Sequence, residues 1–375
     1  MLSVIIIILI ILYLGLIGAF IYGFDKVKTT IIIDYESTTC FSVIIPFRNE
    51  AKHLPKLLDS ILKIDYAFDK YELIFVNDSS MDHSVKLIQT KLGKTNIDFT
   101  IINNTRLTNA PKKDAITKAI KHSKYNWIIT TDADCLLPKY WLFAFDSYIQ
   151  NHDVKCVAAP VTYYQTNTFF KKFQLLDFLS LQGVGIGGFG IDKPFLCNGA
   201  NFAYDKSVFV ELNGFDGNTH ISSGDDIFLL QKVIAKYPKR AHYLKNDKAI
   251  VLTSAQENFK ELISQRVRWA SKTTSYKNWF AKFIGLNVLL MNALVITVPL
   301  LVVGDLIAIN IFAYLLVIKF SIDFLLLFKT ARFFKQDMHL MTYFLSCFLY
   351  PFFTVYIAFI SVFSEYKWKG RAYSK

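Results

Sequence analysis

Residues 127–134 read Trp127-Ile128-Ile129-Thr130-Thr131-Asp132-Ala133-Asp134, a short apolar and β-branched run that stops at two carboxylates one residue apart. The run predicts a buried strand, with the acidic pair at its carboxyl end. Carboxylates at i and i+2 project in the same general direction, and together they suit a hard divalent cation that keeps positions open for phosphate oxygens. A diphosphate leaving group needs such a cation to compensate the charge that develops as its bond breaks.

On either side, the pattern repeats. Ser42 to Pro46, Glu72 to Val76 and Phe99 to Asn103 also read as strands, and Glu50 to Leu62, Asp82 to Leu92 and Lys112 to Ser123 read as helices with apolar residues three and four apart. Short strands alternating with amphipathic helices predict an α/β fold with a mostly parallel sheet flanked by helices. In open sheets of this kind ligands bind beyond the carboxyl ends of the strands. Polar groups gather there after each one: Pro46-Phe47-Arg48-Asn49-Glu50, then Asn77-Asp78-Ser79-Ser80-Met81-Asp82, then Asp132-Ala133-Asp134. Asp82 is read as a turn or helix-cap residue.

Gly224-Asp225-Asp226 is a second acidic cluster, opening the helical run Ile227 to Tyr237. It reads either as a charged helix start or as a general base, because two adjacent carboxylates can raise the proton affinity of one. Further along, Gln265, Arg268 and Trp269 stand at i, i+3 and i+4 of an amphipathic stretch from about Asn258 to Tyr276. They share a helical face on which an amide, a guanidinium and an indole can grip a phosphate and a sugar, or anchor the helix at a membrane surface. Gly183-Val184-Gly185-Ile186-Gly187-Gly188 matches GxGxxG literally but follows the helix-like stretch Phe169 to Leu181 rather than a strand. It is expected to be a flexible loop near the acceptor path.

Composition places the chain at a lipid boundary. Of 375 residues, 53% are hydrophobic and 19% charged, with 34 Phe and 20 Tyr, against a charged share of about 25% in soluble domains. This excludes a disordered chain and argues against a purely soluble enzyme. Leu2 to Ile21 carries no charge and is long enough to span. Without a basic n-region or a small-residue cleavage site it reads as an uncleaved anchor, and Lys26 and Lys28 after it place the following domain in the cytoplasm. Phe283 to Val303, Leu306 to Phe328 and Leu340 to Phe363 are three more apolar segments, the second interrupted by Lys319 and Asp323, which a helix brings face to face.

The organisation expected is an anchor over 1–24, the α/β domain over 25–257, an amphipathic interfacial helix over 258–282, membrane segments over 283–365 and a basic tail over 366–375. Lys329, Arg332 and Lys335 favour a cytoplasmic loop after the third span. Lys367, Lys369, Arg371 and Lys375 also favour the cytoplasm, which alternation permits only if the last segment breaks at Tyr350-Pro351 and re-enters. Five cysteines without a CxxC pair indicate neither a disulfide framework nor a zinc ribbon. The net charge of +12 suits an anionic surface or substrate, and the basic residues form no nucleic-acid recognition motif, so no nucleic-acid partner is expected.

Taken in order, Ser42-Val43-Ile44-Ile45-Pro46 through Glu50, the Asn77-Asp78 turn, Lys113, Asp132-x-Asp134, Gly224-Asp225-Asp226 and Gln265-x-x-Arg268-Trp269 resemble the family 2 glycosyltransferases over roughly residues 40 to 275. With the flanking membrane segments, the resemblance is to the membrane-bound branch that includes cellulose, hyaluronan and ceramide-sugar synthases. It implies a GT-A fold, a nucleotide-sugar donor, usually a uridine diphosphate sugar, a Mg2+ or Mn2+ ion, and inversion at the anomeric carbon. The implied setting is a bacterial inner membrane with a lipid or lipid-linked glycan as acceptor; a processive polysaccharide synthase and a non-catalytic nucleotide-sugar-binding scaffold are the alternatives. By the same resemblance, Pro46 and Glu50 help form the nucleotide pocket, Asp78 meets the base, and Lys113 is the donor-side lysine. Asp132 contacts the ribose or a metal-bound water and Asp134 the metal. Asn198, Gly199 and Asn201 border the donor sugar and acceptor. Asp226 is the base with Asp225 beside it, and Gln265, Arg268 and Trp269 hold the diphosphate and acceptor. Asn77 stands where many members have an Asp.

Overall fold

The chain, seen in a computed structural model, is described over residues 1–32, 36–271, 278–363, 366–368 and 371–373. Its helices are α1 (Leu2–Lys26), α2 (Leu54–Ile61), α3 (Ser84–Leu92), α4 (Pro111–His122), α5 (Trp141–Asn151), α6 (Phe169–Gly190), α7 (Lys206–Glu211), α8 (Asp225–Lys236), α9 (Phe259–Ser271), α10 (Trp279–Val303), α11 (Ile309–Phe333) and α12 (Tyr343–Phe363). Its strands are β1 (Phe41–Phe47), β2 (Tyr71–Asn77), β3 (Asp98–Asn103), β4 (Trp127–Thr130), β5 (Cys156–Ala158), β6 (Val161–Tyr164), β7 (Phe202–Asp205), β8 (Ala241–Tyr243), β9 (Val251–Ser254), β10 (Tyr366–Trp368) and β11 (Arg371–Tyr373). Two units result, one of Lys28–Tyr164 with Leu196–Ser254, the other of Met1–Val27, Gln165–Phe195 and Ala255–Lys375.

The first unit is built on a seven-stranded sheet in the order β3-β2-β1-β4-β7-β5-β8. Phe41, Val43, Ile44 and Ile45 of β1 and Leu73, Phe75 and Val76 of β2 are fully buried, as expected of central strands covered on both faces. On α2, Leu54, Leu57, Leu58 and Ile61 are all buried, at the spacing of one helical face. The strands β3, β2, β1 and β4 are mutually parallel. β7 is antiparallel to β4 and begins with Phe202 opposite Thr130. The carboxyl ends of β1, β2, β3 and β4 and the start of β7 therefore share one edge. A second ladder, β6 with β9, lies beside an isolated bridge between Leu136 and Leu252.

Among the described residues, the other unit contains four helices long and apolar enough to cross a membrane: Leu2–Lys26, Trp279–Val303, Ile309–Phe333 and Asp337–Phe363. Tyr13 of α1 donates to Asp323 Oδ1 at 2.6 Å, and Lys319 Nζ reaches Asp323 Oδ2 at 2.6 Å, so the two charges on α11 meet as their spacing requires. Lys329 contacts both carboxylate oxygens of Asp25 at 2.9 Å, which brings the carboxyl ends of α1 and α11 to one level.

Three expectations are corrected here. The glycine-rich segment after Leu181 is not a loop: α6 continues unbroken to Gly190. A Cβ on Gly187 or Gly190 would run into the backbone of Phe20 or Gly23, and one on Gly183 into Thr330, so the glycines let α6 lie directly against α1 and α11. The domain expected to be continuous over 25–257 is interrupted by this segment, which packs with the apolar helices. Pro351 does not break the last segment, because α12 runs through it from Tyr343 to Phe363. Of the tail, β10 and β11 pair antiparallel; Lys369 and Lys375 lie outside the described residues, as does the stretch 272–277 that was read as the end of the amphipathic helix.

Candidate active site

At the shared edge of the sheet, each strand delivers its polar residues into a tied loop. Asp78, buried after β2, accepts from Arg106 Nε at 2.7 Å and Asn104 Nδ2 at 3.0 Å, while its carbonyl accepts from Arg48 Nη1 at 2.8 Å. Asn77 turns inward to the same loop, its Oδ1 accepting from Ser80 N at 2.9 Å. Glu50, also buried, donates from its N–H to Ser84 Oγ at 2.9 Å and meets His53 Nδ1 with its carboxylate at 3.1 Å. Asp82 accepts from the backbone of Ala51 and of Ser84, at 2.9 and 3.1 Å, so the turn role expected of it also joins the first two loops. Burial alone would raise its pKa, but these hydrogen bonds outweigh it and hold the carboxyl below its ordinary value. Pro46 is half-buried within β1, opposite Val76.

The segment after β4 is held from both sides. Leu136 exchanges backbone hydrogen bonds with Leu252 at 2.7 and 3.1 Å, and Cys135 N donates to Asp132 O at 3.2 Å. Asp132 and Asp134 are both half-buried. The Cys135 thiol lies 3.8 Å from Asp134 Oδ1; its burial, then Asp134 and Asp132, push its pKa well up and keep it a protonated donor.

Lys112 joins the two acidic clusters. Its Nζ is 2.8 Å from Asp132 Oδ1 and 3.3 Å from Asp225 Oδ2. Burial would lower the pKa of this ammonium, yet Asp132 and Asp225 outweigh it and hold it above the ordinary lysine value. Asp225 is buried, whereas Asp226 is half-buried, with Oδ2 accepting from Gly199 N and Oδ1 from Ile227 N, both at 2.8 Å. The helix α8 begins at Asp225 after Gly224, whose φ of 82° admits a glycine and strains other residues. Asn198 is half-buried next to Gly199.

Two site expectations shift. Lys113 does not face this cluster: it is 1% exposed, and its Nζ donates to the carbonyls of Asn218 and Ile221 at 2.7 and 2.9 Å. Its position three and seven residues before Ile116 and Ile120 carries it to the buried face of α4. Lys112 stands four and eight residues before the same isoleucines, so helical spacing does not separate the two lysines; their distant partners do. Asn201 is fully buried, and its side chain is spent on Trp141 Nε1 at 2.9 Å and on the carbonyls of Pro160 and Ala249 at 2.8 Å. It braces the strand ends, leaving Asn198 and Gly199 at the edge.

In the helical unit, Gln265, Arg268 and Trp269 lie on α9 and are half-buried. Between them Arg266, a position that sequence reasoning passed over, is buried. Its Nε donates to Asp177 Oδ2 at 2.6 Å, its guanidinium stands 4.3 Å above the Trp269 ring, and Nη1 donates to Gln265 Oε1.

Among the described residues no group of three or more His, Cys, Asp or Glu side chains is arranged to hold a metal ion. The donors that are present, two half-buried carboxylates one residue apart, fit a hard cation that draws the rest of its shell from a phosphate substrate and water.

Residues 42–212 match the family described as Glycosyl transferase family 2. Among curated proteins, the chain is 25% identical over 233 residues to the probable glycosyltransferase YdaM of Bacillus subtilis, covering 61% of this chain and 54% of that one. It is 26% identical over 112 residues to the poly(ribitol-phosphate) β-N-acetylglucosaminyltransferase TarS of Staphylococcus aureus, covering 30% and 19%. To the poly-β-1,6-N-acetyl-D-glucosamine synthase of Staphylococcus epidermidis it is 23% identical over 177 residues, covering 45% and 41%. The chain thus spans from about a fifth to about half the length of these relatives. Among solved structures, the mannosyltransferase PcManGT of Pyrobaculum calidifontis, in complex with GDP-Man and Mn2+, superimposes with a TM-score of 0.58 at 17% identity, over 92% of this chain and 98% of that one. The fold is of the GT-A kind, a parallel sheet flanked by helices with apolar helices toward both ends.

Proposed function

We propose that this chain is a membrane-bound glycosyltransferase that moves a sugar from a nucleoside diphosphate sugar, a uridine diphosphate sugar first of all, to a hydroxyl of a lipid or lipid-linked glycan, with inversion. The observation that carries the reading is the bridge through Lys112, which brings Asp132 and Asp225 to one place at the carboxyl edge of the sheet. The family match over 42–212 and the GT-A fold support it. Two of the relatives are named for N-acetylglucosamine, which makes that sugar the first donor to test.

In this reading Asp226 is the base. The N–H groups of Gly199 and Ile227 fix its carboxylate in place, and it takes the acceptor hydroxyl's proton as that oxygen attacks the anomeric carbon. The bond to the diphosphate breaks on the opposite face, so the configuration inverts. Lys112, kept charged by its two carboxylates, is placed to meet the negative charge left on the departing diphosphate. Bound at Asp134 and Asp132, Mg2+ or Mn2+ would supply further charge compensation to the diphosphate. Pro46, Glu50 and Asp78 border the nucleotide, and Asn198 and Gly199 the transferred sugar. Gln265, Arg268 and Trp269 grip diphosphate and acceptor.

The sheet domain is placed on the cytoplasmic side, on the strength of Lys26, Lys28, Lys329, Arg332 and Lys335, and the helices in a bacterial inner membrane. The strand β10 of the tail packs against α9, so the tail is read on the same side as that helix.

The test is purified protein with a panel of sugar nucleotides, read as released nucleoside diphosphate and as product length, with and without Mn2+. Transfer is expected with one donor, and Asp226→Asn removes turnover while leaving donor binding largely intact. Asp134→Ala is expected to remove the metal dependence of diphosphate binding. Long products would assign a processive synthase, and no transfer with any donor would leave a binding scaffold.

A further inference from the structure

Arg266 lies inside the Gln265-x-x-Arg268-Trp269 set, yet it points away from the role that set was given. Three contacts hold its guanidinium within the helical unit. Nε donates to Asp177 Oδ2 at 2.6 Å, Nη1 donates to Gln265 Oε1, and the planar group covers the Trp269 ring at 4.3 Å. Asp177 and Arg266 are 7% and 5% exposed, so this is a buried pair whose geometry is not averaged by solvent.

Asp177 belongs to α6, and α6 is itself fixed. Gly187 and Gly190 seat it against Phe20 and Gly23 of α1, and Gln174 ties it to the start of α9 by accepting from Gln256 N at 2.8 Å and donating to Gln256 O at 3.0 Å. Phe178, one residue after the carboxylate, places its ring 5.9 Å from that of Trp269. One side of the indole therefore rests on groups supplied or oriented by α6. Planar stacking combined with a directional Nε bond requires the fixed fork of arginine, which a lysine ammonium does not reproduce.

We propose that Asp177 and Arg266 are positioning residues: Asp177 fixes the Arg266 guanidinium, and that guanidinium sets the orientation of Trp269 for the acceptor. The proposal rests on the reading of Gln265, Arg268 and Trp269 given above. It assigns a purpose to α6, which interrupts the sheet domain in sequence: the helix carries the carboxylate that holds the α9 motif in register.

A double-variant cycle on the full-length protein in detergent or vesicles tests it, with acceptor KM and kcat measured separately for Asp177→Asn, Arg266→Lys, Trp269→Phe and the double variant Asp177→Asn/Trp269→Phe. Asp177→Asn and Arg266→Lys are each expected to raise acceptor KM about tenfold or more, with donor affinity changed less than threefold. The double variant is expected to match Trp269→Phe alone, because Asp177 acts through that ring. Multiplying defects in the double variant, or wild-type acceptor KM in Arg266→Lys, would overturn the proposal. Should Asp177→Asn not fold, Arg266→Lys and the double Arg266→Lys/Trp269→Phe, which keep the positive charge, carry the same comparison. A Trp269→Ala variant with unimpaired transfer would instead refute the role given to the motif, so the two failures are told apart.

Discussion

Asp132 and Asp225 are held on a single ammonium group, that of Lys112, at 2.8 and 3.3 Å. Without it, two carboxylates at the same edge would repel one another, and the more buried of them would favour protonation. Lys112→Met is therefore expected to lower turnover about a hundredfold, the scale of losing one preorganised charge at a reacting centre. Lys113→Met is expected to act differently, lowering stability by about 2–3 kcal/mol through two lost charge-assisted bonds to the 218–221 loop. Turnover, nucleotide titration and thermal melting of the two variants check the contrast. Weaker donor binding in Lys113→Met than in Lys112→Met would reverse the assignment.

The glycines of α6 give a second contrast. No atom lies within 4 Å of a Cβ built on Gly18, whereas one on Gly187 meets the backbone of Phe20. Gly18→Ala is expected to leave the melting temperature in detergent unchanged. Gly187→Ala forces two helix backbones apart and is expected to cost about 1–3 kcal/mol or more, the range for overpacking.

A third expectation concerns Lys319, 2% exposed, and Asp323, which also accepts from Tyr13. Removing one partner of a buried pair leaves an uncompensated charge and costs about 3–5 kcal/mol, while replacing both by apolar residues is close to neutral. Lys319→Met is thus expected to melt earlier than Lys319→Met/Asp323→Leu. Equal melting of the two would mean that the pair is not coupled.

Acid sensitivity should centre on His242. Its Nδ1 is 3.1 Å from the Tyr148 hydroxyl and its Nε2 is 3.0 Å from Lys239 O, a pattern that suits the neutral ring. Burial, and then the nearby His152, lower its pKa despite the Lys239 carbonyl and Asp153, which raise it. The folded state binds this proton less tightly than the unfolded chain, so the contribution is complete above about 6.5 and is lost as pH falls through that value toward the depressed one. Chemical denaturation between pH 7.5 and 5 is expected to reveal this loss in the wild type and a flatter profile in His242→Gln.

Strand and helix periodicity made most of the sheet domain legible. β1 to β4 fall within a residue of the runs read from alternation and β-branching, since buried parallel strands leave a near-continuous apolar signature. Asp132 and Asp134 were legible because they stand where a strand pattern stops, and Asp225 and Asp226 because they stand where a helical run begins. What escaped depends on partners remote in sequence. Lys112 and Lys113 are neighbours of identical type, both at same-face spacings from Ile116 and Ile120, and only their distant partners separate them. Asn201 looks like a site residue until Trp141, Pro160 and Ala249 are seen around it. Glycines at 183–188 suggest a loop in water, but between packed helices the missing side chain is what allows the backbones to touch.

The course of α6 bears on any attempt to obtain the sheet unit by itself. The polypeptide leaves the sheet after Tyr164 and rejoins it at Leu196, with the whole of α6 between β6 and β7. Trimming the hydrophobic ends at 27 and 255 would strand this helix, its glycine-lined flank stripped of α1 and α11, as a sticky insertion in an otherwise water-compatible fragment. A version of that unit free of the helix calls for excising 165–195 and rejoining Tyr164 to Leu196 through a polar linker.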